Sequence, residues 1–125
     1  MPVRPLSDRI LVWPSAEEVH AAASAWADTL GADRPDIRAI GYFGSYARGD
    51  WGVGSDLDVV VVFDDDVLTP TATDQDRSAL SLTIDLPRLP VPVDLLAYTW
   101  RDWKAVAKAG MQRPAEEMIW IYSRN

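Results

Sequence analysis

Apolar positions recur along the chain with two different periods, and the switches between them mark the elements. Ala16 to Leu30 is an alanine-rich run in which Val19, Ala22, Ala23, Trp26 and Leu30 fall on one stripe, which predicts an amphipathic helix. Ser15 is a good N-cap and Glu18, three residues on, completes a capping box, while Gly31 is the expected stop. Before it, Arg9 to Trp13 reads as a short strand ended by Pro14. Ile37 to Phe43 reads as a strand that runs into a Gly44 loop and a short helix. Leu57 to Phe63 is nearly continuous in apolar residues, the pattern of a strand covered on both faces. Asp64, Asp65 and Asp66 then return the chain to solvent.

The segment from Thr69 to Pro90 fits two periods. Leu80, Leu82, Ile84 and Leu86 alternate as in a strand, yet Leu80 with Ile84 and Leu82 with Leu86 also fit a helix. A helix over Thr73–Leu86 is preferred, because it supplies crossover cover for the apolar strand before it. Val91 to Tyr98 is a third strand, introduced by Pro90 and Pro92. Thr99 caps a last helix that runs to Lys108 and stops at Gly110, and a short closing element covers Ala115 to Tyr122. The order predicts an α/β (α+β) fold, a small mixed sheet flanked by helices, with two or three central strands meeting at an acidic end.

Composition narrows the function. A chain of 125 residues, 48% hydrophobic and 25% charged, has the size of one domain and enough apolar mass for a core. Residues 1–125 are expected to form that single domain, with 1–14 as an N-terminal arm. The absence of cysteine excludes disulfides and thiolate metal sites, and a cytoplasmic location is the expectation. No apolar run approaches the about 20 residues that cross a bilayer, and the N-terminus has no signal-peptide core, so no membrane role is expected. A net charge of −7 argues against broad nucleic-acid binding.

Candidate chemistry is concentrated in Gly44-Ser45-Tyr46-Ala47-Arg48-Gly49, followed by Ser55-Asp56-Leu57-Asp58 at the head of the apolar strand. Backbone N–H groups and a hydroxyl at Gly44–Ser45 suit a phosphate, and the Arg48 guanidinium suits phosphate oxygens. Taken alone, a Gly-Ser pair is usually only a turn. Asp56 and Asp58, two apart on a strand, share one face. Two carboxylates so close repel unless a cation lies between them, and Mg²⁺ is held by one or two carboxylates plus substrate phosphates. Asp94 is again an acid inside an apolar strand. It faces the same pocket if its strand lies beside Leu57–Phe63, and is otherwise a capped or salt-bridged core acid. His20 reads as an exposed helix residue. Of six tryptophans most are expected to pack in the core, while Trp51 on the glycine-rich loop is also placed to stack on a base or a partner.

Gly-Ser-x-x-Arg-Gly, then Ser-Asp-x-Asp, then Val-Asp-Leu on a later strand closely resembles the nucleotidyltransferase superfamily that includes polymerase beta, and the short length resembles its minimal nucleotidyltransferase branch. The resemblance covers about Ile37 to Tyr98. It implies the polymerase-beta-like fold. It assigns Gly44, Ser45 and Arg48 to the nucleotide's β- and γ-phosphates, Asp56 and Asp58 to metal, and Asp94 to the catalytic metal and the acceptor hydroxyl. The implied activity is transfer of NMP, expected to be AMP, from ATP or another nucleoside triphosphate to a hydroxyl, with two Mg²⁺ ions. The implied partner is a small all-helical HEPN-type protein, the acceptor in a toxin–antitoxin pair. The other readings are a non-catalytic antitoxin that masks a helical partner, and a transferase acting on a small molecule such as an aminoglycoside. The arm Met1 to Pro14 departs from the resemblance, because minimal members usually begin close to their first helix.

Overall fold

The computed structural model describes residues 13–69, 71–85, 88–108 and 117–124. The sequence expectations for the strand Arg9–Trp13, the arm up to residue 12, the stop at Gly110 and the start of the closing element at Ala115 lie outside these residues.

Helix α1 (Ala16–Asp33) begins at the expected box: Ser15 Oγ accepts from the Glu18 N–H at 3.1 Å, and Glu18 Oε1 accepts from the Ser15 N–H at 3.0 Å. Strand β1 (Ile37–Phe43) leads into the one-turn helix α2 (Ser45–Arg48), then β2 (Leu57–Phe63), a 3-10 turn (Asp65–Val67), helix α3 (Asp74–Ser81), β3 (Val93–Thr99), helix α4 (Trp100–Lys108) and β4 (Ile119–Ser123). The strands form one mixed sheet in the order β3-β2-β1-β4. β1 is antiparallel to both β2 and β4, and β2 and β3 are parallel. The expected α+β class is what the chain adopts.

β2 is the spine of the sheet. Leu57 and Val59 to Phe63 are completely buried. Val59 and Val61 join Val19, Ala23, Ala27 and Ile40 in a core on the α1 side. Val60 and Val62 pack with Trp103 and its neighbours on the other face. Each such side chain contributes about 1.5–3 kcal/mol by burial.

Three expectations need correction. Gly31 does not end α1, which continues to Asp33; it is buried inside the helix, and a Cβ there would fall within the Tyr122 ring. Its missing side chain serves close packing with β4 rather than a left-handed cap. Helix α3 spans Asp74–Ser81 rather than Thr73–Leu86, with Thr73 as its N-cap. It packs on β3, and its Leu80 also rests on the core cluster that holds Val59, Val61 and Phe63 of β2, where α1 contributes Val19, Ala23 and Ala27. Beyond it Leu82 is 85% exposed while Ile84 is buried, so the two do not share a face as strand alternation requires. β3 starts at Val93, two residues after the expected Val91.

Gly41 sits opposite Trp120 where β1 meets β4 with a register shift. A Cβ there would lie 2.9 Å from the Ile119 carbonyl oxygen and 2.8 Å from Met118 Sδ. The backbone contact has no room to give, so Gly41→Ala is expected to destabilise the fold by about 1–3 kcal/mol. The loss is read as a lower urea midpoint with an unchanged slope. An unchanged midpoint would show that β4 does not approach β1 this closely.

Candidate active site

The acidic end of the sheet is built by register. Phe43, the last residue of β1, lies opposite Asp58. On the other side of β2, Asp58 lies opposite Asp94 of β3 in the parallel pairing. Side chains paired across a parallel ladder point to the same face, so Asp58 and Asp94 stand side by side. Asp56 precedes β2 by one residue, and the Leu57 N–H that follows donates to the Pro92 carbonyl at 2.9 Å, tying the heads of β2 and β3 together.

Gly44 makes the turn out of β1 at φ 85° and ψ −152°. The positive φ favours glycine. Space demands it as well, because a Cβ at Gly44 would collide with Asp58 Oδ2. The loop backbone therefore lies directly against the central carboxylate. Ser45 opens α2, and Gly49 closes it in the left-handed region. Tyr46 anchors the turn from below: it is buried, its ring stacks on Trp51 at 5.4 Å and 11°, and its hydroxyl accepts from Trp13 Nε1 at 2.8 Å. The expected packing role of Trp51 is thus seen on its Tyr46 side. His20, on the exposed side of α1, has its Nδ1 2.7 Å from the hydroxyl of Tyr42, which pairs with Val59 on the face of the sheet opposite to Asp58.

These residues surround a cavity of about 440 Å³ lined by Phe43, Gly44, Ser45, Arg48, Asp56, Asp58 and Glu117. Five of the six sequence-predicted residues line it; Asp94 stands next in the row, outside the lining. Phe43 and Glu117 are the wall residues that the sequence reading did not single out, and Glu117, two residues before β4, is the charged one. It comes 69 positions after Arg48, and no local motif signals it. Arg48 Nη1 donates to Glu117 Oε2 at 3.1 Å, and Nε donates to Asp50 Oδ2 at 3.1 Å.

The electrostatics are unbalanced. Burial pushes the Asp58 carboxyl above the usual carboxylate range, and the neighbouring charges of Asp94 and Asp56 push it further, while Arg48 opposes them. Among the described residues no three His, Cys, Asp or Glu side chains form a metal-ligating cluster. The aspartates make a row rather than a closed cage. Such a donor set suits a hard cation whose coordination is completed by phosphate oxygens and water.

A family model described as "Nucleotidyltransferase domain" matches residues 27–118. The chain belongs to this nucleotidyltransferase domain family. Among solved structures, the nucleotidyltransferase chain is similar to a candidate nucleotidyltransferase from Sulfolobus solfataricus, at 20% identity and TM-score 0.59, covering 87% of this chain and 84% of the other. It is also similar to a toxin–antitoxin structure with AMP-PNP, at 21% identity and TM-score 0.52 over 82% and 74% of the two chains. A third is the toxin–antitoxin MntA–HpeT carrying two Asp-to-Glu substitutions, at 18% identity and TM-score 0.50 over 82% and 74%. At these identities the likeness is one of fold. No curated protein is a significant sequence match. Among the described residues no helix is long and apolar enough to cross a membrane.

The raised Asp58 carboxyl links stability to pH with a definite sign. Between its usual value of 3.8 and its raised folded value, the native state binds more protons than the unfolded chain, so stability falls as pH rises through that window. At neutral pH, the ionised Asp58 is a net cost to the cation-free fold. Asp58→Asn is therefore expected to raise Tm by a few degrees at neutral pH in EDTA. The gain should fade as pH falls through the raised folded value, where the wild-type carboxyl takes up its proton, and be gone below 3.8. Equal Tm values at neutral pH would contradict the crowding of these carboxylates.

Proposed function

We propose that this nucleotidyltransferase is a Mg²⁺-dependent adenylyltransferase that moves AMP from ATP to a hydroxyl on a partner protein. The observation that carries the reading is Asp58 set directly against Gly44, with Asp56 in the same cavity wall and Asp94 opposite Asp58 across the β2–β3 ladder. A pure binding module has no physical need for a carboxylate whose charge is disfavoured by burial and by Asp94 and Asp56 beside it.

In this reading the Gly44 and Ser45 backbone, the Ser45 hydroxyl and Arg48 hold the β- and γ-phosphates. Tyr46, wedged between Trp13 and Trp51, keeps that turn from shifting when the phosphates arrive. Asp56 and Asp58 would hold Mg²⁺, with Asp94 completing the site on the acceptor side. When bound, Mg²⁺ lowers the pKa of the acceptor hydroxyl and neutralises charge growing on the phosphates. Asp94 orients the acceptor O–H and takes its proton on a carboxylate oxygen. The acceptor oxygen then bonds to the α-phosphorus in line with the bridge to the β-phosphate; that bridge breaks, and pyrophosphate leaves from the Ser45 turn. The chemistry needs cytoplasmic nucleoside triphosphate.

The assignment of ATP and of a protein acceptor draws support from the toxin–antitoxin neighbours, one of them with AMP-PNP. The sequence resemblance adds a HEPN-type helical protein as the partner, which makes the chain an antitoxin that acts by modification. Incubation with α-labelled ATP, Mg²⁺ and the protein encoded beside it is expected to label that protein. Asp58→Asn, although more stable, should lose about 10³-fold or more of the rate, equivalent to about 4 kcal/mol of transition-state stabilisation. Tight partner binding without label transfer would instead indicate masking, and transfer only to small-molecule hydroxyls would replace the acceptor. Absence of transfer from any nucleoside triphosphate would contradict the enzymatic reading.

A further inference from the structure

Among the described residues Arg48 is the cation that lines the cavity, and two carboxylates hold it. Asp50, on the Nε side, has a side chain 62% exposed; Glu117, on Nη1, has one only 16% exposed. A guanidinium grips phosphate through paired donors on one of two edges, Nε with Nη2 or Nη1 with Nη2. Asp50 uses the Nε donor and so closes the first edge. The second edge has the Glu117 carboxylate bonded at its Nη1 end, so a phosphate arriving there meets an anion already in place. Water screens Asp50, whereas Glu117 is sheltered inside the same cavity as Gly44, Ser45 and Asp58 and keeps most of its field.

We infer that Glu117 is an internal competitor for the phosphate-binding arginine: the triphosphate gains Arg48 only by exchanging with the Glu117 carboxylate. The inference rests on the assignment of Arg48 to the phosphates. Two consequences follow from charge alone. Ligands with fewer phosphates compete less well for Arg48, so Glu117 sharpens selection for a triphosphate. When pyrophosphate leaves, Glu117 takes Arg48 back, which opposes rebinding of the product. Glu117 is therefore a specificity-determining residue, supplied from just before β4, far along the chain.

The test is calorimetric binding of inorganic tripolyphosphate and of AMP-PNP, each with Mg²⁺, to the full chain. Glu117→Gln keeps the shape and removes the charge, and is expected to lower Kd for both by about tenfold. The gain should shrink to less than about twofold in an Arg48→Gln background, because the two residues act as one unit. An unchanged or raised Kd in Glu117→Gln, or an equal gain without Arg48, overturns the inference while leaving the site reading intact. If the wild type binds neither ligand at millimolar concentration, the site reading fails and the inference with it. If Glu117→Gln does not fold, Glu117→Asp decides: the shorter side chain draws the carboxylate back from Nη1 and should tighten binding by about threefold, and no change overturns the inference.

Discussion

Asp58 carries a charge in a place that has lost water and gained two like charges. Its position is fixed by the sheet, between Phe43 on one side and Asp94 on the other. Its room is fixed by Gly44, whose missing side chain lets the loop backbone lie against the carboxylate. The continuous apolar run of β2 holds this arrangement in place, since slipping the strand by one residue would turn Asp58 to the α1 face and bring odd-numbered residues to the site. Burial that stabilises the sheet and crowding that raises the Asp58 carboxyl are thus consequences of the same strand.

The two ends of the sheet treat charge differently. At the end away from the cavity, Asp64 pairs with Arg124 at 2.6 Å and lies 3.9 Å from Arg38, and Asp36 pairs with Arg34 at 2.8 Å. Each of these acids has a basic partner, and the Arg124 bond holds the Asp64 carboxyl below the usual carboxylate range. At the cavity end, among the described residues, Asp56, Asp58 and Asp94 have one lining arginine nearby, which is itself bonded to Asp50 and Glu117. Surface ion pairs of the first kind contribute little, about 0–1 kcal/mol each. An unbalanced group of the second kind lowers stability unless it has a cationic ligand. The asymmetry is physical support for reading one end as structure and the other as function.

Much of this end was legible because its signals are local. Gly44, Ser45, Asp56 and Asp58 lie within one turn and strand, and strand periodicity alone puts both acids on one face. Asp94 was legible as an acid in an apolar run, but its register with Asp58 is a property of the fold. Glu117 was not legible, since its partner is 69 positions away and a lone acid before a strand has no signature. The length of the helix after β2 was misjudged because the leucine spacing satisfied two periods at once; the exposed Leu82 rules out the strand alternation, and Leu80 and Ile84 both reach the core although the helix ends at Ser81. Gly31 was misread because a helix stop and a helix contact both ask for a residue without a side chain, and only Tyr122 distinguishes them.

The most direct measurement of the central claim is anomalous diffraction from crystals grown with Mn²⁺ and AMP-PNP. The account predicts a Mn²⁺ peak bridging the carboxylates of Asp56 and Asp58 and a phosphate oxygen, with the phosphates against Gly44 and Ser45. Phosphates and metal bound elsewhere, or a peak that avoids Asp58 while the nucleotide occupies the cavity, would contradict it.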